Sequence, residues 1–345
     1  MYPTATAQIK FSVLDLATVC EGDSVHQTFQ RSLQTARLVE ELGYTRYWFS
    51  EHHNMENVAS AATSVLIGFV AGGTRTIRVG SGGIMLPNHS PLIIAEQFGT
   101  LGSLYPGRID LGLGRAPGTD PLTAMVIRNR PVDAPYDFKA HIQQLQTYFS
   151  VENKHAKVRA LPGEGVDVPI WILGSSTDSA FLAAQLGLPY AFATHFAPDQ
   201  FLRAISIYKD SFQPSAVLKE PYLMACVNVI TADTNQEAAF LATSLYKMFL
   251  GIFTNSRAPL QPPFPVEELA HMWTPEQAYG VKHMLSYSFI GDKITVKNNL
   301  STFLEKTGVH EIMVSSAIFD QSKKEHSLRL FKEVVEELNS VRTGN

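Results

Sequence analysis

Glu51, His52 and His53 stand in a row directly after the run Tyr47-Trp48-Phe49-Ser50, and Asn54 follows them. A carboxylate and two imidazoles at the end of an extended run make a proton-transfer set, because imidazole changes charge closest to neutral pH. A metal reading fares worse. Neighbouring side chains on an extended chain point to opposite sides, so the two imidazoles do not readily ligate one ion. One of the two histidines is then expected to hydrogen-bond within the packing.

Three further clusters follow apolar runs in the same way. Gly80-Ser81-Gly82-Gly83 precedes Leu86-Pro87-Asn88-His89, and glycines inside a strand mark a bulge or a close approach to the backbone. A flat ring against the strand and a simple bend explain them equally well. Leu111-Gly112-Leu113-Gly114 runs into Arg115-Ala116-Pro117-Gly118. Its spacing is wrong for a dinucleotide turn and Pro117 opens no helix. Arg115, exposed between glycines, is either a bidentate phosphate ligand or an ordinary surface arginine. Gly174-Ser175-Ser176-Thr177-Asp178-Ser179 leads into a helix read from about Ala180. Hydroxyls and free amides at a helix start can hold an anion, although taken alone the cluster reads as capping. A serine-hydrolase elbow is excluded, because Asp178 stands where that turn needs glycine.

The elements that must position these residues alternate between strand and helix. Strand-like runs cover 11–16, 47–50, 77–85, 109–114, 170–173, 191–194, 223–230 and 311–315, eight in all, with amphipathic helices between them, such as 27–42 stopped by Gly43. A helix over 327–338 closes the chain. Unbroken alternation without a linker predicts one domain over 1–345, a (β/α)8 TIM barrel whose active site lies at the C-terminal ends of its strands. Insertions are expected after strands four and seven, at 154–168 and 251–287. The second carries prolines at 259, 262, 263, 265 and 275, and reads equally as a lid over the site or as a helical decoration on the barrel's side. A helix over 59–73 is apolar nearly all round, which predicts cover by a second copy and hence a homodimer.

Composition narrows the class further. Of 345 residues 45% are hydrophobic and 17% charged, which fits a large buried core. The net charge of −4 and the lack of any Lys/Arg run remove the footprint of nucleic-acid binding. Residues 1–10 lack the pattern of a secretory leader and no stretch approaches a membrane span, so a cytoplasmic location is expected. Cys20 and Cys226, the two cysteines, have no metal or disulfide spacing and read as bystanders.

Taken in order, these clusters resemble the bacterial luciferase-like flavin monooxygenases. The likeness runs from Phe11 to about Leu338 and includes Glu96, Gly107-Arg108 with Asp110, and Ala184-Gln185-Leu186-Gly187-Leu188-Pro189. The resemblance implies FMN as cofactor, with Arg115, Ser176 and Ser179 as phosphate ligands and Ser175 beside them. It implies a non-prolyl cis peptide at Gly82-Gly83 against the isoalloxazine, and His52 as the proton-transferring residue with Glu51 next to it. Reduced FMN would come from a separate NAD(P)H-dependent flavin reductase, and a flavin C4a-peroxide formed with O2 would oxygenate a small apolar substrate. The α subunit of bacterial luciferase differs in having glutamate at the place of Ser175 and cysteine at that of Gly114. The single-subunit, non-luminescent, alkanal monooxygenase-like branch is therefore the nearer likeness. Two other readings stay open: a deazaflavin-dependent oxidoreductase, and a flavin-binding protein without catalysis, against which Glu51, His52, His53 and Arg115 speak.

Overall fold

The computed structural model describes residues 8–128 and 136–343. The first half runs β1 (Lys10–Asp15), α1 (Val25–Glu41), β2 (Arg46–Phe49), α2 (Thr63–Gly73), β3 (Arg78–Met85), α3 (Pro91–Leu104), β4 (Ile109–Gly114), α4 (Pro121–Arg128), α5 (Phe138–Phe149) and β5 (Ile170–Gly174). The second runs α6 (Thr177–Leu186), β6 (Tyr190–Phe192), α7 (Phe201–Asp210), β7 (Leu223–Thr231), α8 (Asn235–Thr254), α9 (Leu269–Met272), α10 (Pro275–Met284), β8 (Ser288–Gly291), α11 (Lys293–Thr307), β9 (Glu311–Ser315) and α12 (Gln321–Thr343). All strand pairings are parallel, and β1 to β7 with β9 close into an eight-stranded barrel through β6–β7 and β1–β9. The expected (β/α)8 TIM barrel is the fold.

Alternation along the strands sorts the core into two. Val13, Tyr47, Phe49, Val79, Leu111 and Ile172 face the helices, while Leu14, Trp48, Trp171, Met224, Cys226 and Met313 fill the barrel's middle. Trp48 and Trp171 meet edge to face at 5.2 Å. Strand 3 makes room for Trp48 by lacking side chains, since a Cβ at Gly80 would lie 2.8 Å from Trp48 Nε1 and one at Gly82 3.2 Å from Trp48 Cε3, while a Cβ at Gly112 of β4 would meet the Ser81 carbonyl oxygen at 2.1 Å. The barrel's N-terminal end is sealed by a buried ion network, in which Arg46 donates to Glu311 and Asp110 at 2.8 Å each.

The eight sequence-predicted strands are the eight of the barrel. Absent from that reading is β8, a four-residue strand paired with the end of β7 from Asn228↔Ser288 to Thr231↔Gly291, beyond the residues of β7 that pair with β6. It lies immediately after the predicted 251–287 insertion and is too short to show alternation. The insertion itself is mostly helical. α8, α10 and β8 build a second core from Ile230, Leu241, Leu245, Phe249, Val281 and Leu285, so the side decoration describes most of it. The turn at residues 255–258 lines a cavity at the barrel mouth, and His283 of α10 pairs with Asp199 in the loop after β6. α2 starts at Thr63, four residues later than expected, because Thr63 Oγ donates to the Ser50 and Ser60 carbonyls and holds the preceding chain out of the helix. Among the described residues no helix is long and apolar enough to cross a membrane.

Candidate active site

At the end of β2 the chain turns Glu51 inward, where it is 1% exposed. Its Oε1 accepts from His53 Nε2 and His89 Nε2, both at 2.9 Å, and its Oε2 accepts from the Met85 amide at 3.0 Å. Burial acts to raise its pKa, but the His53 and His89 hydrogen bonds, the charge of His89 and the Met85 amide outweigh it and hold the carboxyl at about 2. Glu51, expected beside His52 in the catalytic set, has both carboxylate oxygens taken up by donors. It fastens the end of β2 to the end of β3.

The adjacent histidines divide as alternation dictates. His53 turns to Glu51, whereas His52 places Nδ1 3.2 Å from the Gly118 carbonyl oxygen. That carbonyl also accepts from the His53 amide at 3.2 Å. Gly118 sits at φ +66°, and a Cβ there would lie 2.7 Å from the Glu51 carbonyl oxygen, so the turn that delivers the acceptor requires glycine. Burial is the largest influence on His52 and pushes its pKa down, opposed by the Gly118 contact and Glu51 and aided by the charges of His53 and Arg257. A neutral ring that donates Nδ1–H to Gly118 keeps Nε2 as a lone-pair base.

A second imidazole belongs to the same place and was missed. His195 follows β6, and its carbonyl accepts from Asn228 Nδ2 at 2.7 Å. Among the described residues its Nδ1 has no hydrogen-bond partner although it is sealed from solvent. Burial, with a smaller push from His52, lowers its pKa to about 3. The signal was available, since Thr194-His195 is polar sequence directly after a barrel strand, the rule that singled out the other clusters.

The other end of the rim is built by β4 and β5. Arg115 leaves β4 with its guanidinium 57% exposed and only a 3.4 Å contact to Asp178, a surface pair of little strength. Ser176 stands in extended conformation at the start of α6 without capping it, and Ser175 beside it is exposed. The ordinary capping reading therefore fails for Ser176. The Thr177 amide is taken by Gln200 Oε1 at 3.0 Å, and an arginine, a serine that caps nothing and the amides of α6 after Thr177 fit a phosphate. Ser179 Oγ donates to the Ser176 carbonyl oxygen at 2.8 Å and lies 3.0 Å from Tyr190 Oη, so its hydroxyl is engaged within the turn. Between the two ends lies β3, with the Gly82-Gly83 peptide in the cis form and the pairing to β4 shifted between Ser81 and Ile84.

Comparison with known proteins follows the same lines. A family model described as luciferase-like monooxygenase matches residues 9–310. A luciferase-like monooxygenase of Escherichia coli is 50% identical over 330 residues, 96% of this chain and 98% of that one. The N-acetyl-S-alkylcysteine monooxygenase of Bacillus subtilis is 35% identical over 235 residues, 67% of this chain and 70% of that one. The crystal structure of apo-MsnO8 matches with a TM-score of 0.88 at 32% identity, covering 95% of this chain and 99% of that one. The fold alone is shared with the oxygenating constituent of 3,6-diketocamphane monooxygenase from Pseudomonas putida in complex with FMN, at TM-score 0.71, 17% identity and 96% and 98% coverage. It is shared likewise with an F420-dependent secondary alcohol dehydrogenase, at TM-score 0.67, 13% identity and 96% and 99% coverage. The family match and the monooxygenases among the relatives make the chain a flavin-dependent monooxygenase. The chain belongs to the luciferase-like monooxygenase family.

The two buried groups give separate acid sensitivities. His195 titrates near 3 when folded against an ordinary 6.5, so between these values the unfolded chain binds a proton that the folded one refuses, and stability falls as pH drops below 6.5. Glu51, at about 2 against 4.5, contributes stability that is present above 4.5 and lost as pH falls from there toward 2. Urea denaturation of His195→Asn between pH 7 and 5 should show a loss smaller than wild type by up to about 2 kcal/mol. Equal slopes for the two proteins would remove His195 as the cause.

Proposed function

We propose that the protein binds reduced FMN, delivered by a separate NAD(P)H-dependent flavin reductase, and uses it with O2 to oxygenate a small organic substrate in the cytoplasm. The observation that carries this reading is the division of one rim: phosphate-type donors at β4 and β5, neutral imidazoles at β2 and β6, and a strand without side chains between them. Arg115, Ser176 and the amides of α6 that follow Thr177, with Ser175 and Ser179 beside them, would hold the phosphate. Gly82 and Gly83 offer bare backbone for the ring to lie against. Bound and reduced, the flavin supplies the activation of O2. His52 Nε2 takes or returns the proton at the reacting centre, held in register by its bond to Gly118, while the unpartnered Nδ1 of His195 gives a ligand a further polar contact. Glu51 orients this machinery without exchanging protons, because its carboxyl stays ionised. The mouth loops keep water away, so that activated oxygen reaches substrate before it is lost as hydrogen peroxide.

α2 adds an assembly proposal. Val65 and Phe69 on its outer face are 68% and 39% exposed, with Ile93 and Leu104 of neighbouring α3 also exposed. Such a surface fits a second copy of the chain, giving a homodimer. Light scattering at micromolar concentration should read twice the chain mass; a monomer would refute the dimer.

Flavin titration by fluorescence tests the cofactor. Arg115→Ala should weaken FMN by the worth of a charge-assisted contact, about 1.5–3 kcal/mol, and leave riboflavin nearly unchanged. Equal losses for FMN and riboflavin would show that Arg115 does not hold the phosphate, and a deazaflavin mass in the extracted cofactor would replace FMN altogether. Coupling tests His52. With a substrate found from a panel, His52→Ala should keep its FMN affinity and its oxygen uptake, while product per flavin oxidised falls about 10²- to 10⁴-fold and hydrogen peroxide rises. Uncoupling by His53→Ala and not by His52→Ala would exchange their roles.

A further inference from the structure

The mouth has a second arginine besides Arg115. A cavity of about 700 Å³ opens between the loop after β2 and the turn after α8, lined by Asn54, Met55, Glu56, Asp120, Asn255, Ser256, Arg257 and Ala258. Arg257 is half-buried in its wall and, among the described residues, makes no hydrogen bond or ion pair. The nearest acidic candidates are otherwise disposed. Asp120 spends its carboxylate on the Thr123 amide and hydroxyl, at 3.0 and 2.7 Å, and on Thr119 and Asn54, both at 3.3 Å. Glu56 stands exposed on the rim without reaching Arg257.

The turn that carries Arg257 is fixed rather than loose. Asn255 ends α8 in the left-handed region at φ +53°, and the Ser256 amide returns to the Gly251 carbonyl at 2.8 Å. Leu260 then bonds on both sides to the segment after β1, its amide to the Val19 carbonyl and its carbonyl from the Glu21 amide, each at 2.8 Å. A guanidinium held by such a backbone, partly withdrawn from water and lacking a counterion, is a preorganised receptor for a carboxylate, which it can grip through two parallel hydrogen bonds. The flavin phosphate is not its partner on the reading above, because Arg115 and α6 lie at the ends of β4 and β5, with residues 118–120 packed against the His52 loop in between. Arg257 lies close enough to His52 for its charge to disfavour protonation of that ring. An anion bound at Arg257 would thus direct the rest of its molecule to the reacting centre.

We propose that Arg257 anchors a carboxylate on the substrate, so that the enzyme oxygenates organic acids with an apolar body rather than wholly apolar molecules. This rests on the flavin monooxygenase reading and narrows its substrate class. Met55 and Ala258 give the apolar body a wall near the anchor. Because the anchor is on the turn of the 251–287 insertion, it is set by a different part of the chain from the oxygenating machinery.

The test is calorimetric titration of the FMN-loaded protein with three acid and amide pairs of graded tail: butanoate with butanamide, hexanoate with hexanamide, and 4-phenylbutanoate with 4-phenylbutanamide. For at least one pair the acid should bind about tenfold to a hundredfold more tightly than its amide, the range of a charge-assisted hydrogen bond. Arg257→Met should bring the acid down to the amide while the amide and FMN affinities stay put, and Arg257→Lys, which keeps the charge and loses the fork, should fall between. Equal binding of acid and amide in every pair, or an acid affinity unmoved in Arg257→Met, overturns the assignment. Failure of the wild type to bind FMN in the same series would instead overturn the cofactor reading, and the acid preference would still be read on the flavin-free protein.

Discussion

A carboxylate sealed from water must be satisfied by donors or it destabilises the fold by several kcal/mol, and the mouth of this barrel is organised around one such group. Glu51 draws in His53, His89 and the Met85 amide, and Asn88 reaches from the same turn to the Pro117 carbonyl. The loops after β2, β3 and β4 are thereby locked to one another. His52 inherits its position from this lock without belonging to it, since its own partner is the Gly118 carbonyl on the loop so fixed. A histidine placed by other residues' bonds keeps its second ring nitrogen for a ligand.

The opposite end of the barrel solves a different problem with similar means. Arg46 bridges Glu311 and Asp110 and lies 4.7 Å from the Trp171 ring, so the charged layer closes the base and supports the aromatic layer above it. Ordinary barrel logic assigns stability to that end and chemistry to the other. The two tryptophans lie between the ends, and Gly80 and Gly82 of β3 are as much a requirement of this aromatic packing as of any ring laid against them.

Legibility in the sequence followed signal length. The barrel strands were readable because each is an apolar run bounded by a helix, and the mouth was readable because Glu51, His52, Arg115 and the serine turn are polar residues just past such runs. β8 was not, because four residues packed outside the barrel carry no periodicity. His195 obeys the same rule as His52 but stands alone, and a lone histidine gives no cluster to notice. Ser179 was read as preceding a helix from about Ala180, whereas α6 starts at Thr177 and includes it, and its hydroxyl direction was out of reach, being set in part by Tyr190 from the next strand. Arg257 was invisible for a related reason: its proximity to His52 depends on how α8 ends and where Leu260 docks, both long-range facts.

The second core gives the protein a form of inheritance in two parts. Leu241, Leu245, Phe249 and Val281 of the α8 to β8 region pack with Ile230 of β7, Cys20 and Ile318, in a cluster separate from the one between the strands and the surrounding helices. Regions with their own core open and repack as units of their own. None of the residues 255–258 bonds to Glu51 or Arg46, so substitutions in the turn that overlooks the mouth leave the partners of both groups in place. A lineage built on this plan can exchange one diet for another while the oxygen chemistry is handed down unchanged.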